Sequence, residues 1–90
     1  MPLQTPNDPY ALALSALAAT VSDERRAQRF LALTGIETDE LRRRAGEPAL
    51  LVSLIAFLEA HEPDLLAVSE QVGVKPEALV EARRRIEGTA

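Results

Sequence analysis

At 90 residues, with 47% hydrophobic and 27% charged side chains, the chain is long enough for one core and too apolar for disorder. A net charge of −4 and a pI near 4.9 work against loose attachment to nucleic acid or to an anionic membrane. With no cysteine, neither a disulfide nor a thiolate metal site can form, and the composition fits a reducing cytoplasm.

Residues 1–8 read as a flexible N-terminal lead-in and 9–88 as a single helical domain. Asn7 or Asp8 can cap a first helix that tolerates Pro9 in its first turn and runs to about Val21. Tyr10, Leu14, Leu17 and Val21 recur at helical spacing as a large apolar face, with Ala11, Ser15 and Ala18 as a second face of small residues. The run Ala11–Ala19 is apolar enough for a secretory signal. No Lys or Arg precedes Arg25, however, and Asp8 sits just upstream, so the expected location is cytoplasmic.

Ser22 or Asp23 caps a second helix that ends at Gly35, a residue suited to a left-handed turn. Its inner face reads Ala27, Phe30, Leu31 and Thr34, with Arg25, Arg26 and Arg29 opposite. A short third helix spans about Thr38 to Ala45 and closes at Gly46, with Leu41 and Ala45 inward. Asp39 with Arg43, and Glu40 with Arg44, stand at the i,i+4 spacing that favours ion pairs.

The fourth helix, about residues 48–60, is the one around which the rest is built. Pro48 suits its first position, and between Ala49 and Leu58 every residue except Ser53 is apolar. Such a helix belongs in an interior, yet its apolar run is only about half the ~20 residues that a membrane span needs. Ala49, Ser53, Ala56 and Ala60 form a narrow stripe of small residues; Leu50, Leu51, Leu54, Ile55, Phe57 and Leu58 occupy the other sides. The stripe is expected to admit the small face of the first helix at close range, near the ~8 Å end of interhelical distances.

Glu62-Pro63 starts a fifth helix with Leu65, Val68 and Val72 inward and Gly73 at its end. Pro76 opens a sixth, with Leu79, Ala82 and Ile86 inward and Gly88 as the stop. No segment alternates with period two over a useful length. The fold class is therefore all-α: a compact bundle of about six short helices around a buried central helix.

One internal echo stands out. In both Leu33–Leu41 and Gln71–Leu79 a helix stops at Gly, a β-branched residue follows, and Leu comes six positions after the Gly. Ile36 and Val74 can each pack on the leucine five residues later and fix the angle of the next helix. The second copy also suits the turn of a helix-turn-helix over residues 65–87, in which Lys75, Arg83, Arg84 and Arg85 would serve as nucleic-acid contacts. Against that reading, Glu77 and Glu81 would face a phosphate-lined groove, and the whole chain is acidic.

The remaining candidates have structural explanations. His61, the one histidine, lies among Glu59, Glu62 and Asp64 but lacks the i,i+4 partner of a helical zinc site, and a helix C-terminus favours His by itself. The triplets Arg42–Arg44 and Arg83–Arg85 sit near helix ends, where cations are stabilised. No Gly-rich loop follows a strand, and Ser15, Ser53 and Ser69 have no nucleophile-elbow context. Catalytic, cofactor-binding and metal-ligating residues are accordingly expected to be none.

With these residues set out, the chain resembles a small bacterial family known as domain of unknown function 3572, over about residues 10–86. The resemblance rests on Leu12-Ala-Leu-Ser-Ala-Leu17, Phe30-Leu-Ala-Leu-Thr-Gly35 with Leu41-Arg42, Phe57-Leu58 and Gly73-Val-Lys-Pro-Glu77. Phe-Leu-x-x-Thr-Gly is the most specific part. The sequence departs from the family in having Ala19 and Thr20 where an aromatic residue is expected just after the Ala-Leu-Ala of the first helix. The resemblance implies a short helical protein and supplies no activity.

Together these readings point to a noncatalytic cytoplasmic protein–protein interaction or accessory module that takes an unknown protein partner or forms a homodimer. Nucleic acid is disfavoured and a membrane is not expected. Whatever apolar face the core leaves uncovered, on the first or the third helix, is the expected docking site. A divergent helix-turn-helix regulator using residues 65–87 is the alternative.

Overall fold

Helix boundaries along the chain are set by acids, prolines and glycines. In a computed structural model, which describes residues 8–89, they delimit α1 (Pro9–Val21), α2 (Glu24–Thr34), α3 (Thr38–Arg44), α4 (Pro48–Glu59), α5 (Glu62–Val72) and α6 (Pro76–Thr89). The lead-in read over residues 1–8 lies outside the described residues except for Asp8, which caps α1. The Asp8 carboxylate accepts from the backbone N–H of Tyr10 at 2.9 Å and of Ala11 at 3.4 Å. Asp23 caps α2 in the same way, accepting from Arg26 N–H at 3.0 Å. Proline occupies the first turn of α1, α4 and α5, where its missing N–H has no helical partner to lose.

Gly35 and Gly73 end α2 and α5 with φ of 75° and 90°, a left-handed backbone that costs glycine no steric penalty. The two ends of the echo are closed differently. After α5, Gly73 N–H reaches the Glu70 carbonyl at 3.1 Å and Val74 N–H reaches Ser69 at 2.9 Å, a Schellman pair. After α2, Gly35 N–H makes the single bond to Leu31 at 2.8 Å. Ile36 and Val74 are half-buried against the core that contains Leu41 and Leu79, as the staple reading expects.

Helices α1, α4, α5 and α6 pack against one another, and α2 leans on α1. The shortest helix, α3, reaches the core through Leu41, with Ala45 packed beside it. All six large side chains of α4 are buried, with Leu51, Leu54, Ile55 and Leu58 at 0% exposure. Leu79, Ala82 and Ile86 of α6 meet them together with Val68 of α5 and Phe30 of α2. The Phe30 and Phe57 rings meet edge to face with centroids 5.3 Å apart. Buried hydroxyls are satisfied locally: Thr20 donates to the Ala16 carbonyl at 2.8 Å and Ser69 to Leu66 at 3.1 Å. The Cα radius of gyration is 12.1 Å, against the ~12 Å expected for a compact chain of this length.

Several expectations are corrected. Ala49, Ser53, Ala56 and Ala60 are exposed, so α4 is open to solvent along one narrow side and the two small-residue stripes do not meet. Burial gain scales with apolar area, so the side with the least area is the one left outside. In α1 the buried residues are Leu12, Ala13, Ala16, Leu17, Ala19 and Thr20, while Leu14 and Val21 stay 41% exposed and Tyr10 is half-buried. Alanines face inward here because α1 runs against α4, α5 and α6 together, and small side chains permit that approach.

On α2, Phe30 is buried, but Arg26 and Arg29 are not simply turned away: both reach across to Asp64 of α5. On α3, Glu40 and Arg44 pair at 3.1 Å as expected, whereas Asp39 approaches Arg42 at 3.9 Å instead of Arg43. The helix ends at Arg44, one residue before Ala45. Gly88 does not stop α6, which continues to Thr89, because no left-handed backbone is adopted there.

Candidate functional site

From Pro9 to Val21, α1 carries no charged residue. Thirteen residues supply more apolar surface than one face of a helix can bury, and the surplus appears on the outer side as Ala11, Leu14, Ala18 and Val21, with Ser15 among them. Beside it lies α3, whose Leu41 and Arg42, with Ala45 just past the helix end, form the facing wall of a shallow groove of about 280 Å³. The α1 wall and floor are Leu14, Leu17, Ala18 and Val21. Leu17 and Leu41 are buried at its base, while Leu14 and Val21 project from its edge.

The chemistry of this groove is simple. Its lining has no carboxylate, imidazole, hydroxyl or thiol, so it offers no nucleophile, proton carrier or metal ligand. It can remove apolar side chains of another molecule from water, and Arg42 supplies one cation at the rim. Arg42 and Asp39 have side chains 78% and 84% exposed, so their 3.9 Å contact is a weak one that other charges can replace.

A second constellation is structural. Asp64, 7% exposed, accepts from Arg26 Nε at 3.3 Å and from Arg29. The Arg29 guanidinium also lies 5.6 Å from the Phe57 ring centroid. Charge, hydrogen bonds and ring contact thus hold α2 against α4 and α5. Nothing in the local sequence marks Asp64 for this role, because its partners are 35 and 38 residues away.

The basic residues of the helix-turn-helix reading are not gathered into one free surface. Arg83 pairs with Glu59 of α4 and, at 2.7 Å, with Glu87. The hydrogen bonds that its guanidinium donates to Glu59 are the main reason it is held above the ordinary value. Lys75, Arg84 and Arg85 are exposed, as are Glu77 and Glu81 between them. In the other triplet Arg44 is shared between Glu40 and Glu47, and its proton is held more tightly chiefly through Glu47. His61 is exposed at the start of α5, and among the described residues no group of three or more His, Asp or Glu could hold a metal. Ser15 and Ser53 face solvent. Among the described residues no helix is long and apolar enough to cross a membrane.

A family model described as "Protein of unknown function (DUF3572)" matches residues 6–89. No curated protein matches the chain, and no solved structure does.

Proposed function

For this chain, which belongs to the DUF3572 family of proteins of unknown function, we propose the role of a noncatalytic protein-interaction module that docks a protein partner in the α1–α3 groove. The observation that carries the reading is a helix without charge whose outer side, Leu14, Ala18 and Val21, opens on a concave apolar surface. A cytoplasmic site of action belongs to the same proposal, in keeping with the cysteine-free composition.

Binding of DNA through residues 65–87 has less support. Arg83 is committed to Glu59 and Glu87, and the exposed Glu77 and Glu81 would repel phosphates.

The test is photo-crosslinking in cells, with a photoreactive residue in place of Leu14 or Val21 and, as controls, in place of Ala56 on α4 or Arg84 on α6. Protein adducts from the two groove positions and not from the controls are the expected result. Adducts absent from the groove, or equally abundant from Arg84, would overturn the assignment.

A further inference from the structure

We propose that the occupant of the α1–α3 groove is a second copy of this chain, laid antiparallel across a two-fold axis. This rests on the reading of the groove as a docking face and adds the identity of what docks. A two-fold contact places the same patch on both sides, so the patch must complement itself in both shape and charge. The α1–α3 face meets both requirements.

The shape argument comes from α1. Ala11, Ser15 and Ala18 recur at i, i+4 and i+7 on its exposed side, with Leu14 and Val21 standing beside them. Small residues make hollows and the two larger ones make knobs, so one α1 can receive the Leu14 and Val21 of the other. Because α1 bears no charge, bringing it against itself sets no like charges together, even though each chain carries a net −4.

The charge argument comes from α3. Asp39 and Glu40 lie in its first turn and Arg42, Arg43 and Arg44 in its last. Arg44 is taken up within the chain by Glu40 and Glu47, but Asp39 and Arg42 meet only at 3.9 Å and are 78% or more exposed. Arg43 is exposed and has no ion-pair partner among the described residues. Two α3 helices running in opposite directions bring the acidic start of each toward the basic end of the other. Asp39 of one copy then pairs with Arg42 of the second, twice over by symmetry.

The experiment follows molecular mass by sedimentation as the full chain is diluted from millimolar to low micromolar. The mass is expected to fall toward 9.8 kDa from twice that value. Asp39→Arg and Arg42→Asp should each weaken association about tenfold or more, with circular dichroism confirming that both fold. Mixing the two variants should restore it, since each then offers the charge that the other needs. Ala18→Cys should form a covalent dimer on oxidation while Ala56→Cys does not, an unambiguous readout in a chain with no other cysteine.

A mass of 9.8 kDa at every concentration would overturn self-association. So would failure of the mixed variants to recover it. If the chain stays monomeric while crosslinks from Leu14 reach a different protein, the groove stands as a docking face and only the second copy is wrong. If Leu14→Asp leaves a dimer unchanged, the dimer lies elsewhere and this face is not its seat.

Discussion

Asp64 of α5 is paired with Arg26 of α2 across 38 residues of sequence, with Nε to Oδ1 at 3.3 Å and both side chains close to nine-tenths buried. Removing the acid leaves Arg29 without an ion-pair partner among the described residues and Arg26 with only the looser contact to Asp23 at 3.7 Å. Breaking a fully buried pair costs ~3–5 kcal/mol, and Arg29 is 47% exposed, so Asp64→Asn should cost about 2 kcal/mol. Urea denaturation followed by far-UV circular dichroism measures it. Adding Arg26→Met should recover part of the loss; an Asp64→Asn effect below ~0.5 kcal/mol would mean that the pair contributes no more than a surface contact.

The two sides of α4 should respond oppositely to substitution. Ala56 faces solvent, so Ala56→Leu is expected to change stability by no more than ~0.5 kcal/mol. Leu54 and Leu58 are wholly buried, and truncation of either to Ala should cost about 3 kcal/mol. Paired melts of the three variants decide whether the open side of the helix is open in solution.

Gly73 has room for a methyl group, with nothing within 4 Å of the position, but its φ of 90° is unfavourable for any residue with a Cβ. Gly73→Ala should therefore cost about 1 kcal/mol through backbone strain alone, without a clash. Gly46 has the same free space and no positive φ, and Gly46→Ala is the control that should not destabilise. Thermal unfolding of both separates backbone strain from crowding.

Asp23 gives the protein an acid-sensitive cap. Its carboxyl is held below the ordinary carboxylate value chiefly by the Arg26 backbone N–H, with the charge of Arg26 and the backbone and charge of Arg25 also acting in that direction. The folded value lies under the unfolded one. The stabilisation is therefore fully present above about pH 4 and is lost as pH falls through the lowered value. Asp23→Asn can still cap but has no proton to gain, so its melting temperature should fall less between about pH 4 and pH 2 than that of the parent.

Arg83 should behave as a tie between α4 and α6. Its side chain is 21% exposed and that of Glu59 25%, so Arg83→Gln is expected to cost about 1 kcal/mol, the upper end for exposed ion pairs. Arg84→Gln, at an exposed position with no ion-pair partner among the described residues, should be neutral in the same melts.

Much of the fold is legible in the sequence, for reasons that differ between helices. The six large residues of α4 and the Leu79, Ala82, Ile86 set of α6 are recognisable because each helix has a contrast between large apolar side chains and small or charged ones. In α1 that contrast is missing. With no charge between Pro9 and Val21, helical spacing reveals a helix without saying which side faces inward, and the larger residues Leu14 and Val21 turn out to be outside. The same lack of charge was the available signal for an uncovered face on α1. The Asp64 clamp could not be found by any local pattern, since an acid near the start of a helix is ordinary and its two arginines sit on another helix.

The arrangement of α1 also sets an order of events at the ribosome. Its inner side is covered by α4, α5 and α6 together, so Leu12 and Ala16 cannot be fully shielded until Pro76–Thr89 has been synthesised. Until then the nascent chain carries an apolar helix whose inner side is only partly covered, and truncation before α6 should yield a sticky, unfinished chain in place of a smaller folded one.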